Sequence, residues 1–188
     1  MSGTIKITLI AFLIYIASLF AYYFIYHFFG EELKSQEFLK ILRDLLSTIT
    51  FFYIISMLDI IKNISFSIDI WLVLIYGLII FIFLVLFTKK DSSTYSLHTV
   101  ISAIFIAPVV EEMLCREISY NSDHLLLSFF ISSFIFISLH LSFDIRSILY
   151  FFIISSFLFF LKAQSNSVLN SILLHSFINL VIIIRMNF

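Results

Sequence analysis

Residues 101–118 read ISAIFIAPVVEEMLCREI, an apolar run with Glu111, Glu112 and Arg116 set inside it. Taken as a span over 97–117, it is long enough to cross a hydrocarbon core as a helix, and it lacks the every-second-residue alternation of a barrel strand. In lipid only helices and closed barrels satisfy their own backbone groups, so an α-helix is the expectation. An ionised carboxylate at that depth costs at least a few kcal/mol even on lenient insertion scales, and the cluster is therefore read as functional.

The surroundings are of the same kind. Further apolar runs lie near 7–28, 45–61, 68–88, 124–141, 147–162 and 167–185. The expected fold is all-α, a polytopic transmembrane helical bundle of about seven membrane-spanning helices forming one integral membrane domain over 1–188. Composition agrees: 62% of residues are hydrophobic and 12% charged, against roughly 25% charged in soluble domains. The 188 residues leave no room for a separate soluble domain beside seven spans. The apolar segment 7–26 is too long for a signal-peptide core and is read as a retained span.

A net charge of −1 without a long basic run argues against nucleic acid as a partner. The lone cysteine, Cys115, excludes an intrachain disulfide and a cysteine-based metal cluster. Lys34, Lys40, Arg43, Lys89, Lys90, Arg146 and Arg185 fall on one side of the expected spans, and Lys6, Lys62 and Lys162 on the other. The positive-inside rule then puts the N-terminus outside and the C-terminus in the cytoplasm of a multi-pass cell-membrane protein.

Three polar groups interrupt otherwise apolar spans: Glu111, Glu112 and Arg116; His140; and His175 with Asn179. Glu112 and Arg116 are four apart, as are His175 and Asn179, so each pair shares a helix face. Neighbouring Glu111 and Glu112 point about 100° apart. The natural division gives Glu112 to Arg116 and leaves Glu111 free. An uncommitted carboxylate can take a proton from water, an imidazole can hold or share it, and a second imidazole with a carboxamide can donate to an oxyanion. This inventory fits amide hydrolysis without a covalent intermediate. The competing reading is a neutralised network that fixes helix register, with His140 at an interface and His175 and Asn179 joining helices.

The stretch APVVEEMLCR at 107–116 resembles the Glu-Glu-x-x-x-Arg motif of the CAAX protease and bacteriocin-processing (CPBP) intramembrane proteases. Phe136 with His140 is similar to the family's Phe-x-x-x-His, and His175 with Asn179 to its His-x-x-x-Asn. The resemblance implies a catalytic core at about 97–185. In it Glu111 and His140 activate water, His175 and Asn179 stabilise the oxyanion, and Glu112 and Arg116 support the site. It further implies a peptide or protein substrate met at the lipid bilayer, in peptide or bacteriocin processing or in self-immunity. The alternative is a non-catalytic membrane immunity protein that binds a bacteriocin or its receptor.

Where the family usually has an aromatic before the motif arginine and a glycine after it, this chain has Cys115 and Glu117. Glu117 is expected to add a third carboxylate near the site. No cofactor is required in the favoured reading. Zinc is the alternative, although His-Glu-x-x-His spacing is absent and its ligands would come from three helices.

Overall fold

The computed structural model describes residues 67–87, 95–120, 122–140 and 144–187, together with Ile49 and Ser65. Apart from Ile49, these lie in the compact unit Ile64–Phe188. The expected spans 7–28 and 45–61, with Asp59, fall outside the described residues.

Five helices follow one another: α1 (Ile70–Phe87), α2 (Leu97–Ile118), α3 (Leu125–Leu139), α4 (Ile145–Ser165) and α5 (Val168–Asn187). All five are long and apolar enough to cross a membrane, α3 being counted with its leading turn Ser122–His124, and among the described residues there is no strand. The protein is thus a multi-pass helical membrane protein. Long aliphatic and aromatic side chains stay on the outside, as on α1, where Trp71 is 73% exposed and Leu86 70% exposed. That is the surface expected against lipid, and Trp71 sits in the first turn of α1, where an interface anchor belongs.

Local chemistry sets the helix starts. Asp69 Oδ1 accepts from the Leu72 N–H at 3.1 Å before α1, and Ser96 Oγ from the Thr99 N–H at 3.3 Å before α2. Asp144 Oδ1 accepts from the Arg146 and Ser147 N–H groups at 3.0 Å each before α4. Each satisfies a donor that a helix start leaves unpaired. α4 ends at Asn166, whose φ of 51° is left-handed, a conformation asparagine tolerates better than most residues. The sequence reading ended this helix near 162. Residues 163–165 continue it because the left-handed stop comes only at Asn166.

α5 organises the unit. It packs on α1, α4 and α2, while α3 packs on α4 and on the end of α2. α1 is tied to α5 at both ends. Asn170 accepts from the Asp69 N–H at 3.0 Å and donates to the Ser67 carbonyl at 3.3 Å, and Ser167 Oγ donates to the Ser65 carbonyl at 2.9 Å. At the other end Arg185 Nη1 donates to the Leu84 carbonyl at 2.6 Å, one of the last carbonyls of α1. The two helices therefore run parallel. Halfway along, a Cβ on Gly77 would lie 3.9 Å from the Phe177 ring.

α2 is not uniform. The α-helical turn-and-a-half Ala107–Glu112 lies between two wide π segments, Ser102–Ile106 and Met113–Ile118. π geometry inside an α-helix is rare and concentrates at functional sites.

Candidate active site

The buried centre of the unit is the α2–α5 contact. Glu112 and Arg116 are both fully buried, and Arg116 Nε lies 3.3 Å from Glu112 Oε2. The other oxygen, Oε1, is 2.9 Å from His175 Nδ1. Since a carboxylate can only accept here, His175 carries its proton on Nδ1. Glu112 is thereby held from both sides, the structural member of the pair that the four-residue spacing requires.

Glu111, on the same turn, is different. Its Oε2 lies 3.9 Å from His175 Nε2, beyond a hydrogen bond, and finds no donor among the described residues. His175 thus stands between the two carboxylates. Its Nδ1 is committed to Glu112, and its Nε2 faces Glu111.

Arg116 is positioned by three helices. Its Nη2 donates to Ser155 Oγ at 3.2 Å and approaches the Ser155 carbonyl at 3.4 Å, and Ser155 Oγ donates to Ser133 Oγ at 3.2 Å. The guanidinium carbon lies 4.6 Å from the centre of the Phe136 ring. A buried guanidinium stacked on an aromatic face and hydrogen-bonded at its edges is well suited to fixing a carboxylate.

Phe136 links the remaining groups. Its ring centre is 4.6 Å from that of His140 and 5.5 Å from that of His175. His140 caps α3, packs on Phe151 with ring centres 4.0 Å apart, and places Nδ1 2.8 Å from the Phe136 carbonyl. A carbonyl demands a donor, so Nδ1 is the protonated nitrogen and Nε2 keeps its lone pair.

The structure brings Glu111, Glu112, Arg116 and His175 into one cluster, and His140 joins it through Phe136. Asn179 behaves otherwise. Its Nδ2 donates to the backbone carbonyl of Ala103 at 2.7 Å, so one of its two N–H groups serves α2 itself. Phe136, fully buried at the junction, carries more than its sequence context indicated; as one of 25 phenylalanines only its spacing to His140 singled it out. Ser155 and Ser133 hydrogen-bond between α4 and α3, as serines inside apolar spans are expected to, whereas the two π segments have no local signal beyond Pro108.

Glu117 does not join the cluster. It turns to Lys162 Nζ at 3.0 Å, and that ammonium also lies 5.0 Å from the centre of the Tyr120 ring. The expected third carboxylate is instead neutralised where α2 meets the last turn of α4. Lys162, the last residue of the expected span 147–162, is 4% exposed.

Among the described residues no group of three His, Cys, Asp or Glu side chains is arranged to hold a metal ion, and the Glu112 oxygens face His175 and Arg116. An apolar groove of about 460 Å³ between α1 and α4, lined by residues such as Leu72, Tyr76 and Phe157, includes none of the candidate residues.

Fold and cluster together define a class: a polytopic helical membrane protein with a carboxylate and imidazole site inside the bundle. Residues 92–181 match the family model described as type II CAAX prenyl endopeptidase Rce1-like, so this part of the chain is similar to that family. No curated protein and no solved structure matches the chain at a significant level.

Proposed function

We propose that the protein is an intramembrane endopeptidase in which Glu111 takes a proton from the water that attacks a peptide carbonyl. The observation that carries this reading is the asymmetry of the two glutamates. Glu112 is bound by Arg116 and His175, whereas Glu111 Oε2 has no hydrogen-bond donor among the described residues and faces His175. A base must have a lone pair not already committed to a partner, and among the described residues Glu111 Oε2 has no cation nearer than the His175 Nε2 at 3.9 Å. His140, with a free Nε2, shares the proton. His175, once it also carries a proton on Nε2, is the donor for the oxyanion that forms as the carbonyl is attacked.

The substrate is a peptide or protein segment presented at or just inside the bilayer, in peptide or bacteriocin processing or in self-immunity. The positive-inside rule places the end that bears Arg146 and Arg185 in the cytoplasm. The family match supports the peptidase class.

The test compares wild type and Glu111→Gln in membranes at matched abundance, following cleavage of a panel of short peptides and protection against bacteriocins. Loss of cleavage by at least about 100-fold is expected. Unchanged protection with no peptide cut by either protein would instead identify a non-catalytic immunity factor. Chelator treatment is expected to leave cleavage unaltered.

A further inference from the structure

Pro108 leaves a gap in the backbone bonding of α2. The Ala107 N–H, which in an α register would serve the Ala103 carbonyl, reaches back to Ser102. In a π register that carbonyl would take the N–H of residue 108, but proline has none. The Ala103 carbonyl is the one that Asn179 Nδ2 meets, at 2.7 Å.

We infer that Asn179 is a positioning residue: its carboxamide supplies from α5 the donor that Pro108 removes from α2, and so holds the wide turn that orients Glu111 and Glu112. The inference rests on the peptidase reading for its consequence in activity. Its structural part stands on the geometry alone.

Residues on an α-helix advance by about 100°, and a π turn inserts about one extra residue. Closing the Ser102–Ile106 segment to α geometry would turn the following Ala107–Glu112 stretch by about that angle relative to the first turn of α2. His175 would then lose the carboxylate 2.9 Å from its Nδ1. Asn179 and His175 lie one turn apart on α5, so a single helix face fixes both the wide turn and the glutamate that the turn aims.

The experiment is a double-mutant cycle of Asn179→Ala and Pro108→Ala in the full-length protein, purified in detergent. Two quantities are read: the unfolding midpoint, and turnover per folded molecule on a cleaved peptide. Asn179→Ala is expected to lower the midpoint by roughly 5 °C by leaving a part-buried carbonyl unpaired, and to lower turnover with little change in KM. Pro108→Ala alone is expected to be tolerated, because a carbonyl accepts two donors. In the double variant the restored N–H at 108 is expected to recover both quantities.

No recovery of the midpoint overturns the inference. Recovery of the midpoint without turnover also overturns the positioning role, because Asn179 would then act on the substrate itself. If the wild type cleaves no peptide, the peptidase reading fails separately, and recovery or non-recovery of the midpoint still decides whether the carboxamide replaces the proline's missing donor.

Discussion

His175 Nδ1 sits 2.9 Å from Glu112 Oε1 while its Nε2 sits 3.9 Å from Glu111 Oε2, so one imidazole reads two adjacent carboxylates differently. The near one is a partner. The far one is a neighbour beyond hydrogen-bond reach. Exchange of either glutamate for glutamine should separate stability from activity. Glu112→Gln leaves Arg116 without its counter-ion in a fully buried place and should cost roughly 3 kcal/mol of stability. Glu111→Gln should stay within about 0.5 kcal/mol of wild type yet abolish cleavage. Thermal unfolding in detergent, run beside the peptide assay, measures both; equal destabilisation by the two changes would contradict the division of roles.

Phe136 touches Arg116 and both histidines. Phe136→Leu keeps an apolar side chain but removes the aromatic face beneath the guanidinium. A loss of about 2 kcal/mol is expected from the cation–π contact and the altered packing. Turnover per folded molecule should fall more than about tenfold, since both imidazoles lose their shared wall. An unfolding curve and a steady-state assay on the same preparation provide the check.

The Glu117 and Lys162 pair should matter for folding alone. Lys162→Met strands a nearly buried carboxylate and should destabilise by roughly 3 kcal/mol, whereas combining it with Glu117→Leu should return stability to within about 1 kcal/mol of wild type. Turnover per folded molecule should be unchanged in both. A drop in turnover that the double variant fails to repair would bring Glu117 back into the site.

Gly77 is buried against Phe177, yet an added Cβ would meet the ring at an ordinary contact distance of 3.9 Å. Gly77→Ala should therefore keep the α1–α5 packing and add about 0.5–1 kcal/mol through helix propensity. A lowered unfolding midpoint would mean that the two helices approach more closely than this spacing.

Much of this was legible in spacing. Four residues between Glu112 and Arg116 place them on one face of a helix, and the structure pairs them there. The five described helices fall where apolar runs had put spans, with shifts of a few residues at their ends. What spacing could not show depends on contacts between helices. The position of Phe136 under Arg116 is set by how α3 packs on the end of α2, and 24 other phenylalanines look the same in the sequence. Glu117 seemed close to the motif because sequence distance ignores the π geometry of Met113–Ile118 and the reach of Lys162 from α4. Spacing left Asn179 open between an oxyanion donor and a link between helices, because its partner, the Ala103 carbonyl, is a backbone group on another helix.

The parallel course of α1 and α5, fastened at Asn170 and again at Arg185, has a consequence for the two aqueous compartments. With α2, α3 and α4 crossing in turn between them, the stretch around Ser65 opens onto one compartment and the stretch around Met186 onto the other. Factors that recognise the approach to α1 and factors that recognise the end of α5 therefore never compete for the same space, and reporters attached at these two places will always disagree about which side they are on.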